Sequence, residues 1–185
     1  IRFLDKIKHM DYSFCTTDPK VLHLDKYKVS FIPNPVDASL DDLNVYENKN
    51  PEFDLFFAMS HGVHRGVLKK GKFDERENIV NYLIKKNPHL KFNVFGMNNI
   101  QPVWGDEFKR NLFNSKIALN LSQGKPLRYY SSDRIAQLMG NGIATLIDRK
   151  TNLNKLFSEK EAIFYNSKED LNRKLNIMIK NYKKR

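Results

Sequence analysis

From residue 54 onward, strand-length apolar runs alternate with stretches whose apolar residues recur at helical spacing, and this alternation limits the possible folds more than any other feature of the chain. Asp54-Leu55-Phe56-Phe57-Ala58-Met59-Ser60 is almost continuously apolar, the pattern of a strand covered on both faces. Asp74 to Glu77 opens a helix that places Ile79, Val80, Leu83 and Ile84 on one face; its acidic start and its Lys85-Lys86 end both suit the helix dipole. Lys91 to Phe95 and Lys116 to Leu121 read as strands, with a loop from Gly96 to Trp104 and a helix from Gly105 to Asn114 between them. Ser131-Ser132-Asp133 is an N-cap cluster, Ile135, Leu138 and Met139 follow at helical spacing, and Gly140-Asn141-Gly142 ends the helix. Then come a strand from Ile143 to Ile147, a short helix from Thr151 to Ser158 and a strand from Ala162 to Tyr165. Ser167 caps a last helix carrying Leu171, Leu175, Met178 and Ile179. This order predicts an α/β fold, a mostly parallel sheet with helices on both faces.

Upstream the pattern is weaker. Tyr12 to Thr17 and Lys28 to Ile32 are short strand-like runs, ended by Asp18-Pro19 and Pro33-Asn34-Pro35. Residues 37–52 are polar and acidic without clear period and read as a linker. A length of 185 residues suits one α/β domain plus a fragment of a second, and an opening at Ile1 instead of Met is what an excised fragment would show.

The chain carries 32 Lys and Arg against 21 Asp and Glu, and the resulting +11 asks for an acidic partner: nucleic acid, anionic lipid headgroups or a phosphorylated small molecule. A single cysteine, Cys15, excludes an internal disulfide and any multi-cysteine metal site, and fits a reducing, cytoplasmic compartment. No stretch approaches the roughly 18 apolar residues of a membrane span.

Open parallel sheets bind ligands beyond the carboxyl ends of their strands. The first such loop, Ser60-His61-Gly62-Val63-His64-Arg65-Gly66 with Lys69, Lys70 and Lys72, joins cations to glycines that permit close backbone approach, and would hold a diphosphate. Arg65, set between glycines, is its best contact; the lysine run also reads as a solvated face. Another loop, Gln123 to Asp133, runs into a helix N-terminus, where free amides and hydroxyls attract anions, with Lys125 and Arg128 adding charge. There Ser131 or Ser132 can cap the helix and contact a phosphate at once. Trp104 reads as a packing anchor.

The connector Pro33-Asn34-Pro35-Val36-Asp37, Phe95-Gly96, Asn114-Ser115-Lys116-Ile117-Ala118-Leu119-Asn120-Leu121, Ser132-Asp133-Arg134-Ile135 and Gly142 together resemble the carboxyl-terminal, donor-binding half of GT-B glycosyltransferases of the bacterial group 1 type. The resemblance spans about residues 28–182 and implies a Rossmann-like domain over residues 53–185. It also implies that residues 1–36 are the connector and remnant of an otherwise absent amino-terminal acceptor-binding domain, with 37–52 as the linker. The implied partner is a nucleotide-diphosphate sugar whose glycosyl group passes to a glycan or lipid-linked acceptor, in polysaccharide biosynthesis by a hexosyltransferase, with no cofactor or metal. Arg65 and Lys70 would meet the diphosphate, and His61, Gly62, Arg128 and Tyr130 would belong to the donor-binding site as well. The loop from Gly96 to Ile100, with Gly96, Met97 and Asn98 as its donor-binding residues, would form the base pocket, and Ser131, Ser132 and Asp133 the helix start beneath the phosphates. Gln137 stands where many members place a ribose-binding glutamate, and Tyr129 occupies the position of that glutamate's usual partner, so stereochemistry stays open. The catalytic base would belong to the acceptor half.

A basic nucleic-acid-binding module is the alternative, supported by the net charge and by Tyr129-Tyr130 beside Arg128. The cations are dispersed and no nucleic-acid motif occurs, so nucleic acid is not the expected partner. A dinucleotide-dependent oxidoreductase would need Gly-x-Gly-x-x-Gly after the first strand, and Gly62 to Gly66 does not supply it. The basic run from Asn181 to Arg185 reads either as a helix end or as a tail for peripheral contact with an anionic membrane at the inner face.

Overall fold

The computed structural model describes residues 2–60 and 74–182. Its main sheet contains β3 (Phe53–Ala58), β4 (Phe92–Phe95), β5 (Ser115–Asn120), β6 (Ala144–Asp148) and β7 (Ile163–Tyr165) in the order β4-β3-β5-β6-β7. Every neighbouring pair is parallel. Helices α2 (Glu75–Lys86) and α5 (Lys168–Asn181) cover one face, and α3 (Gly105–Phe113) and α4 (Asp133–Gly140) cover the other.

Alternation along β3 fixes that arrangement. Leu55 and Phe57 point into the cluster of Val80, Leu83, Leu171 and Leu175, while Phe56 and Ala58 point into that of Leu112 and Leu138. Phe56 and Phe57 are 1% and 0% exposed, and each such side chain contributes about 2–3 kcal/mol of burial. The α/β, Rossmann-like sheet expected from the sequence is therefore what forms.

An amino-terminal unit consists of α1 (Arg2–Ile7) and two short parallel strands, β1 (Ser13–Cys15) and β2 (Val29–Phe31). The segment 37–52, read as a linker, is packed against the main sheet. Val45 is 2% exposed within the α3–α4 cluster, its N–H donates to Asn141 O, and Leu43 N donates to Asn141 Oδ1. The expected helix from Thr151 to Ser158 is instead two 3-10 turns, Arg149–Thr151 and Leu153–Lys155, because Asn152 between them takes a left-handed conformation. Among the described residues no helix is long and apolar enough to cross a membrane.

Candidate functional site

The chain leaves β3, passes to β4 on one side and returns through α3 to β5 on the other, so β3 is where the winding reverses. Crevices open at such points because the flanking loops diverge. A cavity of about 530 Å³ lies there, floored by Ala58, Met59, Leu121 and Ser122 at the strand ends. This volume suits a nucleotide-sized ligand.

Arg134, the second residue of α4, spans the crevice. Side chains on a helix lean toward its N-terminus, and this one reaches the strand ends, where Nε donates to Ala58 O at 2.9 Å and Nη1 donates to Leu121 O at 2.7 Å. Two carbonyls use two of the five guanidinium N–H donors and supply no counter-charge. Burial, then the charge of Arg76, pushes its pKa from the ordinary guanidinium range down to about 10. Arg76 itself is buried beside the cavity and held bidentately by Asp74, Nε to Oδ1 at 2.8 Å and Nη2 to Oδ2 at 2.6 Å. Asp74 thus holds Arg76, and Arg134, half-buried, forms no salt bridge among the described residues, the Asp74 charge acting on it only as a smaller, opposing influence on its pKa.

The start of α4 differs from the capping expected of it. Ser132 occupies the N-cap position but makes no side-chain cap bond, and Ser131 Oγ accepts from Asn34 N at 3.0 Å instead. The Asp133 carboxylate accepts from Asn34 Nδ2 at 2.7 Å. Consequently the Asp133 and Arg134 amides and the Ser132 hydroxyl make no capping bond among the described residues, and Ser132, Asp133 and Arg134 line the cavity together with Tyr130 and Gln137.

Of the residues singled out from the sequence, Tyr130, Ser132, Asp133 and Gln137 line this cavity. Ser131 lies buried behind it. Arg128 is directed to the amino-terminal unit: Nε pairs with Asp18 at 3.2 Å and the guanidinium lies 4.7 Å from the Tyr129 ring, which raises its pKa chiefly through the Tyr129 hydrogen bond. Gly96, Met97 and Asn98 do not reach the cavity wall. Met97 is fully buried in the core, Asn98 exchanges hydrogen bonds with Asn81, and Gly96 at φ +78° packs against the Met59 carbonyl. His61, Gly62, Arg65 and Lys70 lie outside the described residues.

Several wall residues were not singled out. Arg134 was visible in the Ser132-Asp133-Arg134 motif, since an arginine in a first helical turn projects toward whatever the N-terminus faces. Trp104, read as a packing anchor, is 53% exposed on the cavity wall. Leu40 and Asp41 enter it from the 37–52 segment, Asp41 Oδ1 accepting from Asn141 Nδ2 at 2.9 Å and Asp42 pairing with Lys109 at 3.2 Å. Nothing in that aperiodic stretch announced such a role.

The winding reversal of this parallel α/β domain thus brings a half-buried guanidinium and the start of α4 to one crevice. The chain belongs to the glycosyl transferase-like family, whose model matches residues 75–185. That match agrees with the carboxyl-terminal half of a GT-B, group 1-type enzyme, and the protein is accordingly a glycosyltransferase-like transferase whose substrate includes a sugar donor. No curated protein and no solved structure matches the chain.

Proposed function

We propose that this cavity binds the diphosphate of a nucleotide-sugar donor and that the chain serves transfer of a hexosyl group to a glycan or lipid-linked acceptor. The observation that carries the reading is Arg134, a half-buried guanidinium that ties two strand ends together through their carbonyls and forms no salt bridge among the described residues. A cation held so is costly until an anion arrives, and it stands beside open helix amides that favour the same ligand. As the glycosidic bond breaks, negative charge grows on the departing nucleoside diphosphate. Donors already fixed in place by the strand-end carbonyls stabilise that charge without reorganising.

The rest of the wall suits the remainder of such a donor. Gln137 offers both an acceptor and donors for sugar or ribose hydroxyls, and Asp133, a carboxylate that would repel phosphate, suits hydroxyls as well. Arg65 and Lys70 add to the diphosphate grip in this reading. Residues 1–36 are the edge and connector of an acceptor-binding unit, tied to the donor site where Asn34 meets Ser131 and Asp133. The site works on the cytoplasmic side, in polysaccharide assembly.

Calorimetric titration with uridine, guanosine, cytidine and thymidine diphosphates tests this. At least one should bind and raise the melting temperature, since a ligand selective for the native state stabilises it. The matching nucleoside without phosphates should bind far more weakly. Equal affinity for nucleoside and diphosphate, or no binding of any, contradicts the reading.

A further inference from the structure

Resting on the donor reading above, we infer that Trp104 is the stacking platform for the planar base of the nucleotide, which places the base against residues 102–108 and not in the 96–100 loop. Trp104 is the only tryptophan of the chain, and half of it is exposed although indole is among the costliest surfaces to leave in water. Its ring makes no aromatic contact and its N–H no hydrogen bond among the described residues. It nevertheless lines the cavity together with Pro102, Val103 and Phe108. Phe108 is locked edge-on against Phe56 at 5.2 Å, which makes that wall rigid.

The two ends of the cavity thus differ in chemistry. At the end that follows β5 stand Arg134, Ser132, Gln137 and the α4 amides, which suit phosphate and hydroxyls. At the end that follows β4 the described wall is mostly apolar, and Lys109 there pairs with Asp42 at 3.2 Å. A base buries a whole π-face on such a wall and keeps its polar edge outward, whereas a hexose offers only a C–H face and the smaller stacking contact. The 96–100 loop has no aromatic side chain to stack on: Met97 is in the core, Asn98 is engaged by Asn81, and only Ile100 exposes an apolar side chain.

A single tryptophan makes the test direct. The full chain is titrated with a nucleoside diphosphate and with inorganic diphosphate while heat, Trp104 emission and quenching by acrylamide are followed. The inference expects both to bind, with only the nucleoside diphosphate quenching the emission and cutting acrylamide access at least twofold. Trp104→Ala should weaken the nucleoside diphosphate about tenfold and inorganic diphosphate less than twofold, and Trp104→Phe should recover most of the loss. Three results overturn it: binding of the nucleoside diphosphate with acrylamide access unchanged, equal losses for both ligands in Trp104→Ala, or protection of Trp104 by a hexose or its 1-phosphate alone. Failure of both anions to bind refutes the donor reading itself, and the inference with it.

Discussion

The loops that leave β4 and β5 look alike in sequence, each polar, each with a glycine, each at the carboxyl end of a parallel strand, yet the fold spends them differently. Loop 96–100 turns inward: Gly96 N donates to Ile100 O, Met97 plugs the core and Asn98 grips α2. Loop 122–132 turns outward, leaving the first turn of α4 open and Arg134 stretched between strands. The lesson is that position at a strand end gives access to the crevice, and tertiary partners decide whether a loop uses that access.

Substitutions should separate the two loops, and the largest effect belongs to the inward one. A Cβ at Gly96 would lie 1.7 Å from the Met59 carbonyl oxygen at a backbone φ of +78°. Gly96→Ala should therefore cost about 3 kcal/mol of stability in denaturant titration. The fraction that remains folded should bind a nucleoside diphosphate with unchanged affinity. A tighter or weaker complex would place loop 96–100 in the site after all.

Arg134→Ala should do the reverse, lowering diphosphate affinity at least about tenfold, which corresponds to about 1.4 kcal/mol. Arg134→Lys should fall between, keeping the charge while losing the span between Ala58 and Leu121. Calorimetry on both variants checks the order.

A smaller effect concerns pH. With its pKa lowered in the fold to about 10, Arg134 adds stability only above the ordinary guanidinium value, and that contribution is lost as pH falls through about 10. At neutral pH its charge is a net cost that a bound diphosphate relieves. The rise in melting temperature on adding diphosphate should hence shrink between pH 8 and 10.5, and a constant rise would argue that another cation carries the binding.

Least affected should be Arg128→Ala, which removes the contacts to Asp18 and Tyr129 but should change diphosphate affinity less than twofold. A tenfold loss would put Arg128 back beside the phosphates, as its position in the sequence suggests.

Much of this architecture was legible in the sequence because burial on both faces leaves a simple trace: uninterrupted apolar strands such as Leu55 to Met59, and helices with one apolar stripe. Caps were legible where they are local. Ser167 Oγ accepts from Asp170 N and Asp74 Oδ1 from Arg76 N, three and two residues away. At α4 the same rule failed, since Ser131 is claimed by Asn34, 97 positions distant, and no local pattern encodes such a partner. The 37–52 segment was opaque for a related reason. Val45, a few scattered tethers from Leu43, Asp42 and Asn48, and the amide of Asn141 hold it down, which leaves polar composition with no period. Trp104 misled because a large aromatic residue before a helix normally packs inward, and its exposure follows from the walls around it.

The most direct test of the account is a structure of the chain with a nucleoside diphosphate bound. Phosphate oxygens should lie within hydrogen-bonding distance of the Arg134 guanidinium and the first-turn amides of α4, at the crevice between β3 and β5. Phosphates seated on the amino-terminal unit, or against Gly96 to Asn98 with Arg134 untouched, would contradict it.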